Sequence, residues 1–307
     1  TPANDDLFGT SVGLSSDGQR LLIGASGHAS HRGAVFVFAL GNGLWVQEWF
    51  QVDPLPWTAQ SGWREFGWAV AMSGDGTTLV AGRNDDDYTA LVFTRTSGQW
   101  ESQAAIPAAN AYDGTAFALS VDGNTLVMGR RSAATTVGSA GVVDVYARAN
   151  NAWQFSARLT ASNMGDGDGF GGSVAVAGDG KTIAVGAIFE DSQTTGINGP
   201  DGSGSLNSGA TYVFARNGNV WSQQAYIKAS NSGEFDWFGY AVALSADGNT
   251  LAVTANDEDS SAQGLDDAQD NNATSASGAA YVFRRQGGAW HQSRYIKATN
   301  TESFDRF

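Results

Sequence analysis

"FGGSVAVAGDGKTIAVGA" runs from Phe170 to Ala187, and "FGYAVALSADGNTLAVTA" runs from Phe238 to Ala255. Each has an aromatic-glycine opening, two short apolar alternations and an Asp-Gly between them. The phrase also opens at Phe8 ("FGTSVGLSSDGQRLLIGA") and at Phe66 ("FGWAVAMSGDGTTLVAGR"). A worn copy starts at Asp113 ("DGTAFALSVDGNTLVMGR"), with aspartate in the aromatic slot. The spacing of about 47 to 68 residues belongs to propellers, solenoids or arrays. The repeats run approximately 8–65, 66–112, 113–169, 170–237 and 238–306, read as a single domain over 1–307. Phe307 stands where a sixth copy would begin.

Each repeat reads as four short strands. In the fourth these are 171–177, 181–187, 209–215 and 220–229, marked by period-two alternation and by Val, Tyr, Phe and Trp. Asp-Gly joins the first pair in every copy, at Asp17, Asp75, Asp122, Asp179 and Asp247 with the glycine that follows each. Such a dipeptide suits a tight hairpin, so these aspartates have a structural task. The fourth strand opens on tryptophan each time: Trp45, Trp100, Trp153, Trp221 and Trp290. One sheet of this size cannot cover its own apolar face, so neighbouring copies stack. The fold class is therefore all-β, a β-propeller of four-stranded antiparallel blades. A linear β-solenoid is the rival, although its repeats are shorter and lack this hairpin grammar.

Phe-Gly at the opening, Val-Gly-Ala ending the second strand and Gly-Ala-x-Tyr-Val-Phe in the third resemble FG-GAP repeats. These are the units of the integrin α-subunit propeller and of secreted or surface bacterial proteins. The likeness spans the chain, strongest in repeats four and five and worn in two and three. The resemblance implies an adhesive, extracellular role and usually seven blades. Five copies mean a five-bladed ring or part of a seven-bladed one. Integrin-type repeats also place calcium in the first hairpin. Ca²⁺ takes about six to eight oxygens, and one carboxylate per hairpin is too few here, so that site is not carried over.

Composition narrows the function classes. The formal charge of −14 argues against a nucleic-acid surface and for cations or basic partners. Gly is abundant at 40 and Pro scarce at 5, as tight-turned strands require. Cys is absent, which excludes a disulfide framework and thiolate metal or redox chemistry. No apolar run is long enough for a membrane helix, so no membrane insertion is expected in this segment. Thr1 is neither an initiator Met nor part of a signal peptide, and the chain reads as a mature or excised piece.

Most of the acid lies in the loops between second and third strands and in the linkers between repeats, which share one end of an up-and-down blade. The densest stretches are 256–278, 188–209, 83–88 and 163–170. Acid in exposed loops keeps a protein soluble. It can also converge on a cation or a basic partner. The candidate Ca²⁺ ligands are Asp166 and Asp168 with Glu190 and Asp191, and by equivalence Glu234 and Asp236 with Glu258 and Asp259. Aromatic candidates for ligand binding in the linkers are Trp57, Trp63 and Trp237.

No enzyme is expected. His28 and His31 form an HxxH without a third ligand, and nothing resembles a nucleophile elbow. Asn272 begins an N-glycosylation sequon, meaningful only in a secreted eukaryotic protein. The reading is an extracellular binding or adhesion module for a protein or glycan ligand on the loop face. The alternatives are a structural block of a surface appendage docking neighbouring copies or other domains, and a lectin-like binder.

Overall fold

The computed structural model describes residues 5–56, 63–83, 89–107, 115–202 and 204–307. It contains five four-stranded antiparallel sheets, each a meander in chain order. Blade 1 holds β1 (Phe8–Leu14), β2 (Arg20–Ala25), β3 (Ala34–Gly41) and β4 (Leu44–Val52). Blade 2 holds β5 (Val70–Met72), β6 (Thr78–Gly82), β7 (Thr89–Thr96) and β8 (Gln99–Pro107). Blade 3 holds β9 (Thr115–Leu119), β10 (Thr125–Arg130), β11 (Val142–Ala149) and β12 (Ala152–Leu159). Blade 4 holds β13 (Phe170–Val176), β14 (Thr182–Ala187), β15 (Ala210–Asn217) and β16 (Val220–Ile227). Blade 5 holds β17 (Phe238–Leu244), β18 (Thr250–Ala255), β19 (Ala279–Gln286) and β20 (Ala289–Ile296).

The chain divides into two compact units, one of residues 1–128 with 145–156 and one of 129–144 with 157–307. Among the described residues no helix is long and apolar enough to cross a membrane.

The Asp-Gly hairpins form as the residues predict, and their geometry is specific. In the first, Gly18 N–H donates to the Ser15 carbonyl at 2.9 Å, and Gly18 takes φ +67°. Asp17 Oδ1 accepts from Ser15 Oγ at 2.6 Å and from Gln19 N–H at 2.9 Å. The same clasp recurs at Asp75, Asp122 and Asp247, each taking a serine hydroxyl and an amide two residues on. The aspartates are turn residues.

The aromatics of one blade meet the small aliphatics of the one before it. Phe238 stands edge-on to Tyr281 at 5.2 Å and Phe283 at 6.2 Å, and this group packs with Ala184, Val213, Ala225 and Ile227 of blade 4. In the first unit Leu22, Val35 and Val37 of blade 1 meet Phe66, Phe93 and Trp100 of blade 2 in the same way. The repeated glycines make the approach possible. A Cβ on Gly186 would stand 2.0 Å from the Gly239 carbonyl oxygen, and one on Gly209 would stand 2.2 Å from that of Phe238. Phe307 repeats the arrangement at the end of blade 5: its N–H donates to the Ser277 carbonyl at 3.1 Å, as that of Phe238 does to Ser208 at 3.0 Å.

Candidate functional site

The two long acidic loops, 188–209 and 256–278, stand on a buried ionic node that recurs in blades 4 and 5. Strand β16 ends in Tyr226-Ile227, and the next residue, Lys228, is fully buried although lysine rarely is. It is held because Glu190, the third residue beyond β14, turns inward to pair with it. Lys228 Nζ also donates to Ser208 Oγ at 2.7 Å, and Tyr226 OH donates to Glu190 Oε1 at 2.8 Å. Asn163, from the preceding linker, reaches Glu190 through Nδ2 at 3.3 Å and accepts from Tyr212 OH at 2.8 Å.

Blade 5 repeats the node atom for atom. Lys297 Nζ donates to Glu258 Oε2 at 2.7 Å and to Ser277 Oγ at 2.6 Å. Tyr295 OH and Asn231 Nδ2 both serve Glu258 Oε1, at 3.0 and 2.7 Å, and Tyr281 OH donates to Asn231 at 2.7 Å. Taking both charges out of water costs several kcal/mol per ion, and the pair survives because the remaining donors and acceptors are met. Burial beside Glu190 pulls the Lys228 ammonium below its usual range, the loss of water outweighing the attraction of that carboxylate.

The candidate Ca²⁺ ligands are used in other ways. Glu190 and Glu258 are the lysine counter-ions. Asp168 Oδ2 closes its own turn on Gly165 N–H at 2.6 Å, and Asp236 Oδ2 closes the equivalent turn on Gly233 N–H at 2.7 Å. Asp191 Oδ1 accepts from Asn207 N–H at 2.7 Å and Asp259 Oδ1 from Ala276 N–H at 2.7 Å, clasping the far end of each loop. Asp166 Oδ1 takes Ser139 N–H at 2.7 Å, and Glu234 points to solvent. Among the described residues no three His, Asp or Glu side chains gather as a metal group. Apart from Glu234, each of these carboxylates meets a backbone amide or an ammonium group through at least one oxygen.

Linker and loop acids lie within electrostatic reach of one another. Burial, with Glu190, Asp191 and Asp201 close by, raises Asp168 to about 6 despite its amide bond. Burial, with Glu258 and Asp259, raises Asp236 to about 7.

The three tryptophans have different fates. Trp57 lies outside the described residues, as does most of the 83–88 acidic run. Trp63 is 67% exposed and lies flat on His31, with ring centroids 4.1 Å apart and planes at 11°. Trp237 is half-buried, edge-on to Phe189 at 6.4 Å, and serves the join of loop and linker. His28 is set against Asp6 at 3.2 Å and His31 against Glu65 at 3.7 Å, so the HxxH pair faces two different carboxylates.

Between the loop after β14 and the start of β20 lies a groove. About 590 Å³ opens beside β20, floored by Phe283 and Trp290 and edged by Asn198, Ser230, His291 and Gln292. Beyond Gln292 a second hollow of about 310 Å³ carries Asp266, Asp267, Gln269 and Asp270. Sequence reasoning did not find this groove or the lysines beneath the loops. The signal for the lysines was the repeated Tyr-Ile-Lys-Ala at 226–229 and 295–298.

Residues 153–214 and 221–283 match the FG-GAP repeat family. Both segments are similar to FG-GAP repeats. No curated protein matches the chain by sequence. Among solved structures, Kuenenia stuttgartiensis hydrazine synthase is similar at 14% identity and TM-score 0.54, over 89% of this chain and 64% of that one. A functionally unknown protein from Desulfotomaculum acetoxidans gives 12% identity and TM-score 0.58, over 96% of this chain and 71% of that one. Acinetobacter baumannii TolB gives 11% identity and TM-score 0.50, over 96% of this chain and 55% of that one. The chain thus spans less than two thirds of the hydrazine synthase and TolB chains. At these identities the likeness is one of fold, and the fold is the β-propeller. The matched segments include Glu190, Lys228 and Glu258 of the two nodes and end before Lys297.

Proposed function

We propose that the chain is a non-enzymatic recognition module acting outside the cell or at its surface, with the loop end of blades 4 and 5 as its ligand face. The observation that supports it is the division of labour in the loops. Their bases are locked on Glu190–Lys228 and Glu258–Lys297, while the groove along β20 presents Asn198, His291, Gln292 and the acidic hollow to solvent. Rigid scaffolds carrying variable loops are a common way to build a binding surface. The ligand is a basic, hydrogen-bonding segment of a protein, since Asp266, Asp267 and Asp270 border the groove with amides between them. Adhesion is the role this chemistry and the FG-GAP family best fit. The test is biosensor binding of lysine-rich and acidic peptides of equal length to the chain and to its His291→Ala/Gln292→Ala variant. Preference for the basic peptide, lost in the variant with melting temperature unchanged, is expected. Equal binding of both peptides overturns the reading.

A second reading, a block that stacks on neighbours, has its own observation. Phe8, Trp45 and Phe50 of blade 1 are 42%, 44% and 39% exposed, whereas their counterparts Phe238, Trp290 and Tyr295 lie buried beneath blade 4. Sedimentation of the chain and of its Val12→Glu/Leu44→Glu variant separates the readings: concentration-dependent association that the variant abolishes favours the block.

A further inference from the structure

A separate pocket lies at the hairpin end of the first unit. It holds about 370 Å³ where the start of β6 and the end of β7 face the start of β10 and the end of β11. Its wall is made of hydroxyls, amides and two guanidinium groups, with no carboxylate and no aromatic ring. On a chain of net charge −14 such a lining is unusual.

Arg148 is fixed in place: its guanidinium stacks over Trp153 at 5.4 Å, and its Nε donates to Asn124 Oδ1 at 3.0 Å. Arg95 is held by Nε alone, on Glu48, and its Nη edge has no partner among the described residues. Thr78 is fully buried, lines the pocket, and its Oγ1 makes no hydrogen bond. The matching hydroxyl in blade 4, Thr182 Oγ1, receives Arg285 Nη1 at 3.5 Å, whereas that of Thr78 is unpartnered. Thr94 and Thr96 of β7 correspond by strand register to Ala215 and Asn217, and the Asn150-Asn151 turn corresponds to Gly287-Gly288. At Thr94, Asn150 and Asn151 the pocket has hydrogen-bonding groups where its relative in blades 4 and 5 has alanine and glycines.

We propose that this pocket binds a sugar bearing an oxyanion, a carboxylate or a sulfate. The planar fork of a guanidinium matches such a group bidentately, and the Nη edge of Arg95 is the open fork. Threonine hydroxyls and asparagine amides supply the donors and acceptors that ring hydroxyls need. The volume falls within the range of about 300–1,000 Å³ of small-molecule sites. Three carboxylates stand near but are occupied: Glu48 pairs with Arg20 and Arg95, while Asp75 and Asp122 clasp their hairpins. Local charge is thus about balanced. The anion is recognised by directed donors, and the hydroxyl neighbours give the preference for a sugar.

The test is calorimetric titration with glucuronic acid, with glucose as the uncharged control and inorganic sulfate as the bare oxyanion. Saturable heat with glucuronate and none with glucose is expected, weakened at least about tenfold by Arg95→Gln, which removes the fork. Asn150→Asp, at an exposed turn position that leaves the Glu48 pair intact, is expected to weaken binding too, by repulsion at the mouth. No heat from glucuronate at ~10 mM, or equal affinity in Asn150→Asp and the parent, overturns the proposal. Sulfate binding as tightly as glucuronate overturns the sugar assignment.

Discussion

Lys228 and Lys297 carry the largest energetic consequences per atom. Each is an ammonium without access to water whose charge is met by one glutamate, so removing either partner strands the other. Lys297→Met is expected to destabilise the fold by about 3–5 kcal/mol in chemical denaturation. Lys297→Met with Glu258→Gln is expected to recover most of that loss, because no buried charge remains. A single variant with parental stability would show the pair to be hydrated. Asp236 makes a pH prediction. Its folded pKa of about 7 lies above the ordinary 3.8, so the folded chain holds a proton that the unfolded chain releases. That contribution is fully present below about pH 4 and lost as pH rises through 7. Asp236→Asn, which keeps an oxygen for Gly233 N–H, is expected to flatten the change in unfolding free energy between pH 5 and 7.5.

Among the elements, the long loops are the informative ones. A loop of some twenty residues rich in Asp, Ser and Gly has every reason to wander, yet both are tied at two places. Ser208 Oγ bonds the Ser192 carbonyl at 3.0 Å and Ser277 Oγ the Ser260 carbonyl at 2.9 Å, while Asp191 and Asp259 take the amides of Asn207 and Ala276. Asp191→Ala is expected to speed amide exchange across 188–209 and to cost about 1–3 kcal/mol, with blade 5 unaffected. Protection unchanged in that loop would remove the clasp from the account. Gly209→Ala is a harsher test. Its φ is +80° and its Cβ would meet the Phe238 carbonyl oxygen, so the seating of blade 5 on blade 4 is expected to fail, with early melting of blade 5. Of all the elements, the short strands were the most legible. Alternation, the Asp-Gly turns and the tryptophan openings placed all four strands of blade 4 within two residues of where they form.

Across the whole molecule, the acid that gives the chain its charge is partly internal. Glu190, Glu258, Asp168 and Asp236 are buried, as is Asp144, which grips Arg130 at 2.7 Å and Arg158 at 2.7 Å in blade 3. Composition could not separate these from solvent-facing acid, because both count equally in the net charge. Since the carboxylates already have partners, millimolar Ca²⁺ added to chelator-treated protein is expected to leave the melting temperature unchanged; a rise of several degrees would show that they hold the ion as well. What the sequence determined by itself was the repeat, the strands, the hairpins and the end of each blade on which the loops gather, because each rests on periodicity or on a backbone preference a few residues long. What only the tertiary structure decided was which charges meet. Glu190 and Lys228 lie 38 residues apart in the chain, and no local rule relates them. Their pairing follows from the depth at which β16 ends and the direction in which the loop after β14 turns.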